Sequence, residues 1–244
     1  VKRVVGYSKS PSTTEKARQL GVIDAIAPSA LLAVSGSDLV LLAVPVAATE
    51  ATLKSIANLV SPQTLVMDVG STKRDVVDAA RRVLRDHVGV FVPAHPIAGK
   101  EVSGVEHADA DLYAGKQVIL TPIERTQLGH LKRATDLWEA LGCKVTQMSP
   151  EAHDGAFAAV SHLPHLIAFA LMHGIVSQPQ GKEFLSLAGP GFRDFTRIAA
   201  SDPKMWRDIL MANKQELIEQ AKIFQRSLYN MLQKAEAGQS EELE

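Results

Sequence analysis

A histidine between small residues and a proline is the side chain of this sequence best suited to proton transfer. His95 lies in the stretch Ala94-His95-Pro96-Ile97-Ala98-Gly99, directly after a short β-branched run that ends at Val92. Because imidazole titrates near neutral pH, a histidine in a loop after a strand can act as a general base. A single histidine is more often structural, so position alone leaves both roles open.

A second polar segment, Asp68-Val69-Gly70-Ser71-Thr72-Lys73, also follows an apolar run. The hydroxyl of Ser71 is suited to hydrogen-bond a ligand. Ser71 also precedes a predicted helix, and serine is a preferred helix N-cap. The two roles are compatible, and both are expected of Ser71.

Two further histidines, His162 and His165, are three residues apart and would share one face of a helix. A metal site is not expected, because the only cysteine is distant and His153 with Asp154 offers a poor third ligand. A kink or helix start at Pro164 would direct His165 into a cleft. His162 fits a structural role better.

The elements that must position these residues change character along the chain. In residues 1–149, short apolar strands alternate with helices, which predicts a parallel sheet covered on both faces, an α/β domain of Rossmann type. The predicted strands are 3–7, 39–44, 64–68, 90–92, 117–120 and 144–148, and the helices are 48–59, 73–85, 128–141 and 12–20. Residues 150–234 show helical spacing alone, and the acidic tail 235–244 is expected to fray.

A sheet of this type binds ligands beyond the carboxyl ends of its strands. Those ends carry Ser8-Lys9, Val44-Pro45 and Gly70-Ser71, which we predict to contact a dinucleotide. A Gly-x-Gly-x-x-Gly turn is absent from the sequence, so a Rossmann-type fold would begin here at its second strand. A hydroxyl followed by a cation favours the 2′-phosphate of NADP over NAD, although Lys9 is equally compatible with a solvated loop.

Composition excludes several classes of protein. The net charge is −1 and the basic residues are scattered, which argues against nucleic acid as a partner. The single cysteine, Cys143, fits a reducing compartment. No signal peptide is apparent at the N-terminus, and the longest apolar run, 166–176, is shorter than the ~20 residues of a membrane span. We therefore expect a cytoplasmic protein without a membrane partner.

Several motifs together resemble one family. They are the segment around His95, Leu112-Tyr113-Ala114-Gly115, Val160-Ser161-His162-Leu163-Pro164-His165, Gly191-Phe192-Arg193-Asp194-Phe195-Thr196-Arg197, and Ser201-Asp202-Pro203-Lys204-Met205-Trp206. In order and in content they resemble the prephenate and arogenate (cyclohexadienyl) dehydrogenases of tyrosine biosynthesis. The resemblance covers the chain except for its acidic tail. It implies a Rossmann-type domain followed by an all-α domain that binds substrate and forms a homodimer.

The resemblance also implies a reaction and roles for residues. The reaction is the oxidative decarboxylation of prephenate or arogenate, with hydride transfer to NAD or NADP. His95 would accept the proton of the substrate hydroxyl and Ser71 would hydrogen-bond that hydroxyl. Arg197 would grip a carboxylate through its forked guanidinium, with a surface ion pair as the plainer alternative, and His165 would contribute to substrate binding.

Two residues after the His95 motif bear on substrate choice. Lys100 departs from the small or hydroxyl residue of many family members, and it would contact a substrate carboxylate or point to solvent. Glu101 would face the substrate side chain, where a carboxylate favours the ammonium of arogenate. Two alternatives to the dehydrogenase remain: a non-catalytic helical dimer without a competent cofactor site, and a β-hydroxyacid dehydrogenase, although no lysine lies in the motif that such enzymes use.

Overall fold

The computed structural model describes residues 1–99 and 104–243. Its first half contains strands β1 (Val5–Gly6), β2 (Ala25–Ile26), β3 (Leu39–Leu42), β4 (Leu65–Asp68), β5 (Phe91–Val92), β6 (Ala94–Pro96), β7 (Gln117–Leu120) and β8 (Lys144–Gln147). The helices of this half are α1 (Pro11–Gln19), α2 (Ala30–Val34), α3 (Thr49–Ile56), α4 (Arg74–Leu84) and α5 (Leu128–Ala140). The predicted α/β fold class is confirmed.

The strands form three hydrogen-bonded groups. Strands β1 and β2 form a parallel pair, and β3, β4 and β5 form a parallel sheet in that order. The third group has the order β6-β7-β8, with β6 antiparallel and β8 parallel to β7. Only Pro93 separates β5 from β6, so one extended segment joins the second group to the third.

Burial explains why the central strand anchors this half. Every residue of β4 is buried, which agrees with its uninterrupted apolar sequence up to Asp68. One apolar cluster packs β3, β4 and β5 against α3 and α4, and a second packs β4, β6 and β7 against Trp138 of α5. Helices therefore cover the sheet on both faces, as parallel strands require.

Two short elements of the structure are not predicted from the periodicity of the sequence. Strand β2 has two residues and α2 has five, both too short for a distinct apolar pattern. The predicted loop at His95 is also wrong. His95 lies on β6 and pairs with Ile119 of β7 in antiparallel register.

The second half is helical from Pro150. Its elements are α6 (Pro150–Phe157), a π-helix (Ala158–His162), α7 (Leu163–Val176), α8 (Gly181–Ser186), α9 (Pro190–Thr196), a 3₁₀ turn (Arg197–Ala200), α10 (Pro203–Ala212) and α11 (Lys214–Glu236). The region predicted to fray carries a short 3₁₀ helix, Ser240–Leu243, and Lys234 Nζ lies 3.3 Å from Glu242 Oε2.

The helices α6 and α7 are continuous through the π-helix. Together they span 27 residues, Pro150–Val176, with a mean hydropathy of 1.5 in the most apolar window. Among the described residues this is the one helix with the length and composition of a membrane span, and 17% of that window is buried. The apolar run is therefore part of a longer helix than its sequence indicates.

Candidate active site

A buried ion pair supports the strand that carries His95. Lys73 Nζ lies 2.5 Å from Asp68 Oδ2, and both side chains are almost fully buried. Lys73 Nζ also donates to the carbonyl of Ala94 at 2.7 Å, while Asp68 Oδ1 accepts from the amide of Ala94 at 3.2 Å. The two charges thus hold Ala94, the residue before His95, by both of its backbone polar groups.

His95 is joined to two residues of the helical half. Its Nδ1 lies 2.8 Å from Nε2 of His153, and Nδ1 of His153 lies 2.7 Å from Oδ1 of Asp154. His153 and Asp154 are fully buried, whereas His95 is half-buried. The ring of Phe157 packs against both imidazoles. The geometry is a chain of hydrogen bonds from a half-buried imidazole to a buried carboxylate.

The same carboxylate closes the start of α4. Asp154 Oδ1 accepts from the amide of Lys73 and Oδ2 from the amide of Arg74, each at 2.9 Å. The predicted cap at Ser71 is wrong, because the carboxylate arrives from α6 and the N-cap position is Lys73. A carboxylate at a helix N-terminus is stabilised by the helix dipole and by free N–H groups. Asp154 therefore fastens the two halves together at the site.

Burial and neighbouring charge set the protonation of the histidines. Burial, with smaller effects of Lys73, His153 and His162, lowers the pKa of His95 to about 2. Burial likewise lowers the pKa of His162 to about 4. His95 is therefore neutral at physiological pH, as a general base must be.

A second histidine pair lies beside the first. His162 ends the π-helix, and its Nδ1 lies 3.1 Å from Nδ2 of Asn213. Its buried Nε2 has no hydrogen-bond partner among the residues that the structure describes. His165, one turn later, stacks on Trp206 with 3.4 Å between ring centroids. Short π-helices are frequent at functional sites, and this one ends at His162, which lies close to both His153 and His165.

The predicted cofactor residues lie at the carboxyl ends of β1, β3 and β4. Ser8 accepts a hydrogen bond from the amide of Ser10 at 3.1 Å, and Lys9 is exposed. Val44 is half-buried and Pro45 is exposed, two and three residues after the end of β3.

Gly70 is close to its neighbours, since a Cβ there would lie 3.0 Å from both Asp68 Oδ2 and Val46 Cγ1. Glycine at this position therefore leaves space for the side chains of Asp68 and Val46.

Of the other predicted substrate-binding residues, the structure describes Arg197 but not Lys100 or Glu101. Arg197 is exposed on the 3₁₀ turn that packs against α7, the helix of His165. Its role toward the substrate stays a prediction. Lys100 and Glu101 lie outside the described residues. Within residues 1–99 and 104–243, no group of three or more His, Cys, Asp or Glu is arranged to hold a metal ion.

The residues that contact His95 are not predicted by the sequence motifs. In the sequence, His153 and Asp154 offer only a poor metal site, and no local pattern places them beside His95. Lys73 is predicted from the sequence only as the first residue of a helix. The sequence does contain one indication of the ion pair. Asp68 and Lys73 carry opposite charges five residues apart, one at the end of a predicted strand and the other at the start of a predicted helix.

Comparison with known proteins agrees with this architecture. The family model described as "Prephenate dehydrogenase, nucleotide-binding domain" matches residues 1–147, and "Prephenate dehydrogenase, dimerization domain" matches residues 149–244. A prephenate dehydrogenase of Bacillus subtilis is 39% identical over 89% of this chain and 59% of its own length. A cyclohexadienyl dehydrogenase of Zymomonas mobilis is 36% identical over 87% of this chain and 72% of its own.

A solved structure matches almost the whole chain. It is the prephenate dehydrogenase of Aquifex aeolicus in complex with hydroxyphenyl propionate and NAD+. This structure superposes with a TM-score of 0.92 at 40% identity, covering 99% of this chain and 84% of that one. The chain spans less than two thirds of the length of the Bacillus relative. With both family models matched in order, the chain belongs to the prephenate dehydrogenase family.

Proposed function

We propose that this protein catalyses the oxidative decarboxylation of prephenate, arogenate or both. The observation that carries the proposal is the neutral imidazole of His95, held by His153 and Asp154, in a chain that matches the family over both of its halves. The products are 4-hydroxyphenylpyruvate from prephenate and tyrosine from arogenate.

His95 accepts the proton of the hydroxyl on the substrate ring. The electron pair of that O–H bond forms a carbonyl as hydride leaves the same carbon. Loss of carbon dioxide from the opposite ring carbon then returns an electron pair to the oxygen, which takes a proton as the ring becomes aromatic. No net proton is released, so the base that removes the proton can also return it.

NAD or NADP supplies the hydride acceptor when it is bound. Val44, Pro45, Gly70 and Ser71 would border its nicotinamide end, and Ser71 would also reach the substrate hydroxyl. Ser8 and Lys9 would meet the adenosine end. We propose a preference for NADP, because the β1 end presents a hydroxyl and a cation where a carboxylate would select the NAD ribose.

Four residues are proposed to bind the substrate. His165, fixed by its stacking on Trp206, lies in the same cluster as His162 and His153. Arg197 and Lys100 would contact carboxylates, for which cationic side chains are suited. Glu101 would face the substrate side chain and favour the ammonium of arogenate. An unchanged ratio of the two substrates' kcat/KM in Glu101→Gln would contradict that preference.

We propose that the protein is a homodimer formed through its helical half. Large apolar side chains of this half are exposed in a single chain, including Val160 at 71%, Leu187 at 81% and Tyr229 at 60%. Obligate subunit interfaces are rich in such side chains. A dimer interface at this surface would cover the exposed apolar side chains of the helix Pro150–Val176, so no membrane is needed to cover them. This agrees with the proposed cytoplasmic location.

The test is a spectrophotometric assay of reduced nicotinamide formation with each of the two substrates and each of the two cofactors. We expect turnover with at least one substrate and a higher kcat/KM with NADP than with NAD. The absence of reduction in all four combinations, in protein shown to be folded and to bind cofactor, would contradict the proposed reaction. It would favour the alternative of a non-catalytic dimer.

A further inference from the structure

The hydrogen bonds around His153 fix which nitrogen of His95 is basic. Asp154 already accepts two backbone N–H groups, so it is an acceptor toward His153 as well. Nδ1 of His153 therefore carries hydrogen and donates to Asp154. In neutral His153 the other nitrogen, Nε2, then holds a lone pair. That lone pair accepts from Nδ1–H of His95, which leaves Nε2 of His95 as the basic nitrogen.

A proton added to His95 at this place would be costly if it stayed there. Burial and the Lys73 ammonium both disfavour a cation on the His95 ring, and they lower its pKa far below the ordinary value. His153, by contrast, contacts a carboxylate at 2.7 Å. A charge on His153 would form a buried ion pair, which is far less costly than an unpaired buried charge.

We propose that His95 and His153 act as one proton-accepting unit, in which the charge produced at His95 is taken up by His153 beside the Asp154 carboxylate. This inference rests on the proposed function. The substrate hydroxyl transfers its proton to Nε2 of His95, while the proton on Nδ1 of His95 moves to Nε2 of His153. Both transfers reverse when the aromatic product takes its proton back.

Other charged and titratable groups lie around His95 and His153 and influence the energy of a proton placed there. Lys73 and Asp68 contact the strand of His95 from the sheet, Asp75 lies near Asp154 from α4, and His162 faces the pair from the π-helix. Because these groups stay the same in a variant of His153 alone, such a variant isolates the transfer step.

Two substitutions separate proton transfer from orientation. In His153→Gln the amide can accept from His95 and donate to Asp154, but it cannot take up a proton. In His153→Phe both hydrogen bonds are lost. For the glutamine variant we expect kcat to fall by about 100-fold, within the range of general acid–base catalysis. KM should change by less than about threefold, since uniform substrate binding is untouched. A kcat within about threefold of the unaltered protein would overturn the proposal, because orientation alone would then suffice.

A matched control removes a buried histidine elsewhere. His130 of α5 is buried and its Nε2 lies 2.8 Å from the carbonyl of Pro62, remote from His95. His130→Gln should leave kcat unchanged. A similar fall in kcat for His130→Gln would show that the loss in His153→Gln reflects general damage to the fold.

A second measurement is independent of turnover. Nitrogen-15 NMR of the intact protein without substrate should show both His95 and His153 protonated on Nδ1, and His153→Gln should keep the His95 tautomer. Protonation of His95 on Nε2 would overturn the proposed unit. If the protein reduces neither cofactor with either substrate, the proposed function fails, whereas the tautomers still test the arrangement of His95 and His153.

Discussion

Replacement of Lys73 by methionine tests the buried ion pair beneath the site. Methionine keeps the length and most of the volume of lysine but removes its charge. Asp68, about 2% exposed in its side chain, would then be a buried carboxylate whose remaining donors, among the described residues, are the amides of Gly70 and Ala94. Removal of one partner of a buried pair typically costs about 3–5 kcal/mol. We expect a loss of this size in the free energy of unfolding of Lys73→Met.

The assay is urea unfolding followed by circular dichroism, with linear extrapolation to water. The double variant Asp68→Asn, Lys73→Met should be more stable than Lys73→Met alone, because no unpaired charge remains. Lys54→Met is the control. Its pair with Glu50 has side-chain exposures of 64% and 35%, and exposed pairs contribute at most about 1 kcal/mol. A cost below about 1 kcal/mol for Lys73→Met would refute the reasoning.

Three further predictions concern the base, acidity and assembly. His95→Asn should lower kcat by about 10²–10⁴-fold while substrate still binds, as titration calorimetry would show; near-normal turnover would exclude His95 as the base. Because burial lowers the pKa of His95 to about 2 and of His162 to about 4, the folded protein binds fewer protons than the unfolded chain below pH 6.5. The contribution of these two histidines to the free energy of unfolding is fully present above that pH. It should fall by up to about 1.4 kcal/mol per pH unit for each histidine as the pH decreases. Urea unfolding curves that coincide at pH 7.5 and pH 5 would contradict this. Ile223→Glu on α11, where Ile223 is 54% exposed, should shift sedimentation toward the monomer, whereas the neighbouring Lys222→Gln should not.

The sequence was most informative where one pattern decides the outcome. Residues 65–67 of strand β4 are apolar and the whole strand is buried, so the apolar run predicts the strand without tertiary information. Helix α5 is predicted to within a residue of its observed bounds, Leu128–Ala140, because its apolar residues recur with helical spacing. The change at Pro150 from alternating strands and helices to helices alone is also visible in the periodicity.

The contacts within the site could not be read in this way. His95 and His153 are 58 residues apart and lie in different halves of the chain. Their contact depends on how α6 packs beside β6, which no local pattern encodes. The cap of α4 shows the same limit, because Ser71 satisfied the local rule and a carboxylate 81 residues from Lys73 supplied the cap instead.

The position of Asp154 links the chemistry to the packing of the two halves. Its carboxylate binds the start of α4 in the first half and orients His153 in the second, so the Asp154 side chain contacts both halves. If the halves separate by even one hydrogen-bond length, His95 loses its contact with Nε2 of His153, and the basic nitrogen of His95 is no longer fixed. The first half alone would thus carry His95 with neither tautomer favoured by a carboxylate. The helical half therefore contributes to the site as well as to the proposed dimer, because the proposed base is complete only when α6 is docked against α4.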